Sequence, residues 1–353
     1  LKTSYVYSAL AQEKTGSFWV NGKLFGRQNC HTTEDIENTA YVLIIGTNPW
    51  QSHGFPQARK ILKALAKDLK RTLVVVDPRR TETAKLADIH LRVKPGRDAL
   101  LLSAILAVLI QESLQDDAFL KEHGVGFEEI RSAFQDIPVE AYARRAGVEP
   151  DLVRQVARGL ASASSASVRH DLGIEQTLHS TLNTYLEKLF FLITGQFGKP
   201  GCNSLHTFFA PVLSHSEEPE TGGITTKVTG MKAICELFPP NILPAEIDTD
   251  HPERIRAVFV DSSNPLQTGT DTQAYQKAFK KLALLVVVDV AETETALMAD
   301  YILPAPSQYE KWEASFFNLS FPVNYFHLRP PILAVQGDTL PEPEIYYRLL
   351  VAM

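Results

Sequence analysis

Residues 77–91, DPRRTETAKLADIHL, return near the end of the chain as residues 289–303, DVAETETALMADYIL. At a constant offset of 212, eight of the fifteen positions are identical: Asp77/Asp289, Thr81/Thr293, Glu82/Glu294, Thr83/Thr295, Ala84/Ala296, Ala87/Ala299, Asp88/Asp300 and Leu91/Leu303. Each copy follows an apolar run ending in Asp, TLVVVD at 72–77 and LLVVVD at 284–289. Such a run alone occurs in any parallel sheet. Identity that continues past the strand end, where burial does not dictate residue type, points instead to a duplicated unit.

The duplication extends upstream. AYVLIIGTNPW, residues 40–50, reads as a buried strand over 41–45, ended by Gly46 and an Asn48-Pro49 turn. A helix over 57–67, with Ala58, Ile61, Leu62 and Leu65 inward, leads to the strand at 72–77. IRAVFVDSSNP at 255–265, a helix over 272–281 and the strand at 284–289 repeat that plan. Each is a β-α-β crossover, which implies a parallel strand pair. The asparagines Asn48 and Asn264 are 216 apart, so the second crossover is four residues shorter.

In open α/β sheets ligands bind beyond the carboxyl ends of the strands. The GTNP and SSNP turns and both repeated segments fall there. A short turn rich in Gly or Ser brings backbone N–H groups close to an anion, and an Asp at the second strand end accepts from a ribose or a base edge. Each copy would therefore hold one nucleotide. Neither contains G-x-G-x-x-G or G-x-x-x-x-G-K-[ST], which disfavours an ordinary NAD domain or P-loop.

The bulk numbers agree with a two-domain globular chain: 353 residues, 44% hydrophobic and 22% charged. A net charge of −6 argues against a general nucleic-acid binder. The longest apolar-rich stretch, ALLLSAILAVLI at 99–110, falls short of the roughly 18 residues that span a bilayer and reads as a buried helix. Three cysteines, Cys30, Cys202 and Cys235, are too widely spaced for a C-x-x-C site, and Cys30 reads as a small buried hydrophobe rather than a metal ligand. The start, LKTSYVYSAL, lacks Met and a signal-peptide pattern, so the chain is expected to be a piece of a longer protein, with any export signal outside it. Cytoplasmic and periplasmic locations both stay open.

Between the copies, Asp98 in RVKPGRDALL either caps the following helix or meets a ligand. Residues 111–165 read as helical, with a turn at Gly147 and a helix starting at Pro150. A strand, a polar turn and a long helix follow, and His170, Glu175, Gln176 and His179 gather at that turn. They would face a ligand or solvent, and His179 alone reads as a satisfied histidine. HSEEPETGG, at 215–223, is a lid or a linker loop. The chain closes on EIYYRLLVAM, an amphipathic helix cut short.

GTNP followed by VVVDPRRTETAKLADIHLRVKPGRDALL resembles the pterin-binding core of the bacterial molybdopterin oxidoreductases, the dimethyl sulfoxide reductase superfamily. GIEQTLHSTLNTYLEKLFFLITGQFGKPGCN and VDSSNP with VVVDVAETETALMADYILPAPSQYEK resemble later segments of that family, in the same order and over almost the whole chain. The resemblance implies an α/β fold of two pseudo-symmetric, doubly wound, mainly parallel-sheet domains. The first would span 1–205 with a helical insertion, a linker 206–252, and an incomplete second domain 253–353. Each would hold one molybdopterin guanine dinucleotide, the two together gripping molybdenum or tungsten. By position, Gly46, Thr47 and Asn48 would meet one set of phosphates, and Asp77 and Arg79 its guanosine, with Gly96, Arg97 and Asp98 nearby. Ser263, Asn264 and Pro265 would do the phosphate work in the second copy, with Asp289 on guanosine and Thr293 and Glu294 lining the site.

Three departures stand beside that likeness. The family usually supplies a metal ligand upstream of the first turn; here only Tyr7 and Ser8 offer themselves. The cysteine-ligated 4Fe-4S domain that opens many members and the C-terminal barrel that closes over the pterins are expected to lie outside this piece. Of the family's closing E-K-x-G-T-x-x-N-x-E-G-R, only Glu310, Lys311 and Asn318 survive. The expected function is the core of an enzyme moving two electrons by oxygen-atom or hydride transfer on a small-molecule substrate, with an iron–sulfur or other redox partner; the piece alone would be inactive. The alternative is a metal-free structural or electron-transfer subunit, as in the large iron–sulfur subunit of respiratory NADH dehydrogenase. DPRR keeps two arginines where DVAE has none, so the first nucleotide arm would be held more tightly at its charged end.

Overall fold

The computed structural model describes residues 3–206, 223–315 and 320–353. Most of the 215–223 loop, and Asn318, lie outside the described residues. By internal contacts the chain forms two units. The first takes the described residues of Glu13–Glu218 and Leu319–Asn324, the second those of Leu1–Gln12, Pro219–Asn318 and Tyr325–Met353.

The first unit opens with helix α1 (Thr15–Phe25) and a short strand β1 (Thr32–Glu34). The predicted crossover follows as β2 (Tyr41–Ile45), α2 (Ala58–Leu65) and β3 (Thr72–Val76), then β4 (Ile89–Leu91) and α3 (Asp98–Gln111). Helices α4 (Val139–Ala146) and α5 (Pro150–Ser162) flank Gly147, whose φ of 84° lets the chain turn between them. Strand β5 (Ala166–His170) leads through one helical turn, Leu172–Glu175, to α6 (Ser180–Ile193), and β6 (Asn203–Leu205) pairs antiparallel with β1.

The main sheet is parallel in the order β4-β3-β2-β5. Burial on both faces explains why β2 and β3 are apolar runs rather than alternating ones. Tyr41, Leu43 and Ile45 point into the core shared with α3, α4, α5 and α6; Val42 and Ile44 point the other way, against Leu62 and Leu65 of α2. Connections leave β2 toward β3 on one side and reach β5 on the other. The β2/β5 boundary is thus the topological switch point, where such sheets open at their carboxyl ends.

The second unit holds a smaller parallel sheet, β7 (Ala257–Asp261), β8 (Leu284–Asp289) and β9 (Tyr301–Pro304), in that order, with α7 (Thr272–Phe279) as its crossover. Its core gathers Val260, Leu266, Tyr275, Phe279, Leu285 and Val287. Helix α8 (Glu342–Ala352) buries Ile345 on Val288 and Ala305. No helix among the described residues is long and apolar enough to cross a membrane.

Candidate functional site

The two turns are built alike, atom for atom. Gly46 N–H donates to Val76 O at 2.9 Å, and Ser262 N–H donates to Val288 O at 3.0 Å. Both residues sit in the left-handed region, at φ 61° and 52°. Gly46 has a second reason to be glycine: a Cβ there would lie 2.9 Å from Ile174 N, because the turn after β5 closes onto it through a Gly173 N–H to Gly46 O bond of 2.9 Å. Ser262 is exposed and accepts a side chain.

The asparagine side chains are spent on the scaffold. Asn48 Nδ2 donates to Glu82 at 2.8 Å, and its Oδ1 accepts from Thr83 Oγ1 at 2.6 Å and Thr83 N at 3.2 Å. Asn264 does the same with Glu294 at 2.6 Å, Thr295 Oγ1 at 2.8 Å and Thr295 N at 3.3 Å. Thr83 and Thr295 in turn accept from the N–H groups of Trp50 and Leu266, both at 3.2 Å. Thr81 and Thr293 accept from the N–H groups of Ala84 and Ala296, and Asp88 and Asp300 accept from the N–H groups of Leu73 and Leu285, the second residues of β3 and β8. Five of the eight repeated identities lie in this clasp, which ties each turn to the segment after the second strand. Replacing Asn264, or Asn48, with Ala is expected to cost about 1–3 kcal/mol in chemical denaturation. A cost below about 0.5 kcal/mol at both positions would show that the turns hold without the clasp.

What each turn leaves for a ligand is backbone. The N–H groups of Thr47 and Asn48, and of Ser263 and Asn264, donate to nothing among the described residues. Pro49 and Pro265 each begin a single helical turn directly after them. At the second strand ends, Asp77 Oδ1 accepts from Arg79 N at 2.8 Å and Asp289 Oδ1 from Val290 N at 2.7 Å, leaving one carboxylate oxygen each. The Arg79 side chain is exposed. Gly96, at φ 71° with open space around it, and Arg97 are exposed too. Asp98 is buried, and burial first, then the nearby Asp77 carboxylate, push its carboxyl up. The structure therefore brings the 96–98 turn to Asp77. Asp98 is not the helix cap: Arg97 occupies that position and Asp98 is the first helical residue, where its charge favours the helix dipole instead.

A second assembly, at the carboxyl end of β5, was only half visible in the sequence. Glu175 is buried and His170 beside it is mostly so, whereas Gln176 and His179 are exposed. His170 Nδ1 lies 3.1 Å from Glu187 and its Nε2 3.7 Å from Glu175. Lys188 Nζ meets Glu187 at 3.1 Å and Thr32 Oγ1 at 2.8 Å. Lys14 binds Glu175 at 2.6 Å and Asp171 at 2.8 Å, and Arg169 pairs with Glu34. Glu175, Glu187 and Lys188 have side chains only 1% exposed. Burial pulls His170 down, but Glu187 and Glu175 outweigh it and hold the imidazole above its ordinary value. Burial pushes Glu175 and Glu187 up, yet His170 with Lys14, and Lys188 with His170, leave both below the usual carboxylate range. Ser17, His170 and Glu187 follow the order of a hydrolase relay, but Ser17 Oγ donates to Glu175 and lies 3.4 Å from His170 Nε2, so the hydroxyl proton is not directed to the imidazole. The arrangement is a charge lattice joining α1, β1, β5 and α6.

Cys30 is buried, with Sγ 3.0 Å from Arg27 O, as packing alone would place it. Tyr7 packs on Phe238 and against the second unit's core; burial and then Glu246 raise its phenol, which disfavours a phenolate ligand. Ser8 Oγ accepts from Leu10 N at 3.3 Å. Glu310 accepts from the N–H groups of Ser307 and Gln336, and Lys311 pairs with Glu342, so the two described residues of the three that survive from the closing pattern serve local structure. Among the described residues no group of three His, Cys, Asp or Glu is placed to hold a metal ion.

The profile of the molybdopterin oxidoreductase family matches residues 2–327. The chain is 31% identical over 315 residues to F420-dependent formate dehydrogenase 1 subunit alpha of Methanococcus maripaludis, a match covering 84% of this chain and 45% of that protein. It is 31% identical over 291 residues to formate dehydrogenase H of Escherichia coli, covering 77% and 40%. The chain thus spans less than half the length of these relatives. Acetylene hydratase from Pelobacter acetylenicus shares the fold at a TM-score of 0.80 over 98% of this chain and 51% of that one, at 23% sequence identity.

Proposed function

The chain belongs to the molybdopterin oxidoreductase family, and on that premise we propose that its two turns hold the nucleotide arms of two molybdopterin guanine dinucleotides, in the core of a molybdenum or tungsten oxidoreductase. The observation that carries this reading is the matched set of unspent donors, Thr47 and Asn48 N–H in one copy and Ser263 and Asn264 N–H in the other. Two adjacent N–H groups at a turn suit phosphate oxygens. The remaining oxygens of Asp77 and Asp289 suit the donor edge of guanine or a ribose hydroxyl. These residues fit such a cofactor without any side chain having to leave its present partners.

When bound, the cofactor supplies a metal centre for two-electron oxygen-atom or hydride transfer. The chain's part is to fix the arms. Gly46, with Gly173 locked behind it, presents Thr47 and Asn48 from a rigid β2 end. Pro265 stiffens the equivalent turn after Ser263 and Asn264. Arg79 and Arg97 place positive charge beside Asp77 and Asp98, whereas Thr293 and Glu294 shape their turn through Ala296 and Asn264. The first arm is accordingly held at the more cationic end. Substrates are small molecules, and electrons pass to or from a separate redox or iron–sulfur protein, in line with relatives named as enzyme subunits.

Metal and pterin analysis of the full-length protein tests the reading, with pterin fluorescence read after denaturation. Molybdenum or tungsten with about two pterins per chain is expected. Asp289→Ala is expected to lower guanine-nucleotide content without shifting the melting temperature. Absence of both metals and of pterin would favour a metal-free electron-transfer subunit of the same fold. Unchanged nucleotide content in the variant would remove Asp289 from the site.

A further inference from the structure

The duplicated crossover helices differ in one respect that neither packing nor the cofactor sites explain. Aligned by their ends, Lys63 and Lys67 of the first copy correspond to Lys277 and Lys281 of the second. Asp248 neutralises the second pair, with Lys277 Nζ at 2.6 Å and Lys281 also in contact, and both lysines draw its carboxyl below the usual range. Among the described residues no carboxylate pairs with the first two lysines. Arg59, Lys60, Lys63, Lys67 and Lys70 are all exposed and make no ion pair among the described residues. Only Asp68 stands against them between residues 59 and 71, in a chain whose net charge is −6.

Spacing puts Arg59 or Lys60 and Lys63 on one helical face, opposite the buried Ala58, Leu62 and Leu65, with Lys67 in the turn just past the helix end. With Ala64 they line an open, shallow stretch of surface. Arg59 and Lys63 lie over Trp50, at 5.6 and 5.3 Å from its ring, and Arg59 Nε holds Trp50 O at 2.8 Å, so the upper end of the stripe is fixed in place. Leu69, fully exposed, stands at the lower end.

From these observations we infer that the α2 face is a docking surface for an acidic protein, the electron-exchange partner of the proposed oxidoreductase. The inference rests on that functional reading. From Arg59 to Lys67 the charges run about 12 Å along the helix, too far to converge on one phosphate. Trp50 already carries Arg59 and Lys63 over its ring, so it is engaged with the stripe rather than presented for stacking on a base. A line of flexible cations ending in one exposed leucine suits a small, salt-sensitive encounter with an acidic surface, the size class of transient redox complexes.

The experiment measures association of the full-length holoprotein with a small acidic ferredoxin by stopped-flow fluorescence at low and high salt. Basic cytochrome c serves as the charge control. Wild-type protein is expected to bind the ferredoxin in a salt-sensitive manner and not the cytochrome. K60E/K63E/K67E is expected to slow association at least about tenfold. K121E/K232E/K280E makes the same change in net charge at exposed lysines elsewhere and is expected to leave the rate within about twofold. Equal loss in both triples, no ferredoxin binding, or preferential binding of duplex DNA or phosphatidylglycerol vesicles would each overturn the inference. The assay needs no turnover, so missing metal and pterin would sink the functional reading separately, while the binding result still decides the docking surface.

Discussion

Gly173→Ala is expected to destabilise the first unit by more than about 3 kcal/mol, read as a fall in urea midpoint, and to release nucleotide from the first turn. A Cβ at Gly173 would lie 2.2 Å from Gly46 O and 2.7 Å from Gly46 Cα. Both neighbours are backbone, and neither can rotate away. Gly46 is itself held by Val76 O on one side and by the Gly173 N–H on its carbonyl. The methyl must therefore push the β5 exit off the β2 end, at the switch point where the sheet opens. Gly96→Ala is the control. That residue has a φ of 71°, which Gly173 does not share, and open space around it, so only the left-handed backbone is penalised, by about 1 kcal/mol. If the two substitutions cost the same, the Gly46–Gly173 contact does not brace the turn.

The repeated segment was legible as a duplication, but its meaning moved once contacts were visible. The likeness read from the sequence puts Thr293 and Glu294 along a ligand site, within the repeat that also keeps Thr81, Glu82, Thr83 and Thr295. In the fold these side chains, with Asn48 and Asn264, bond chiefly to one another and to the backbone. A single sequence cannot separate a residue kept for a ligand from one kept for a turn, because short polar side chains serve both. The strands and crossovers were readable to within a few residues because burial on both sheet faces leaves an apolar run with sharp ends. β4 and β9, of three and four residues, passed unremarked because so short a strand lacks a period of its own.

The charge lattice escaped for a different reason. Lys14, Ser17, Glu34, Arg169, Glu175 and Lys188 come from segments up to 174 positions apart, and no local pattern joins them. Two signals were present all the same. Arg169, His170 and Asp171 interrupt the apolar close expected of a buried strand, and Glu187-Lys188 sits among Leu186, Leu189, Phe190 and Phe191. Charges inside an apolar helix either face water or are paired, and a helix buried on all sides leaves only pairing.

That pairing makes the second large prediction. Lys188→Met keeps the volume of the side chain and removes its charge, leaving Glu187 buried with His170 as its remaining cation. A loss of about 3–5 kcal/mol at neutral pH is expected, because an uncompensated buried carboxylate costs more than the pair contributes. E187Q/K188M removes both charges and is expected to recover part of that loss, a coupling that denaturation of the single and double variants measures. Stability should also depend on pH with a definite sign. His170 is raised in the fold, so its contribution is complete below the unfolded value of about 6.5 and is lost as pH rises through the folded value. Glu175 and Glu187 are lowered, so theirs is complete above about 4.3 and is lost as pH falls through the folded values. The lattice should therefore stabilise most between about pH 4.3 and 6.5, with an alkaline decline beginning above that window. His170→Gln keeps a donor toward one carboxylate but cannot titrate, and should flatten the alkaline limb. An unchanged limb in that variant would assign the decline to some other group, and a cost below about 1 kcal/mol for Lys188→Met would mean that water reaches the pair.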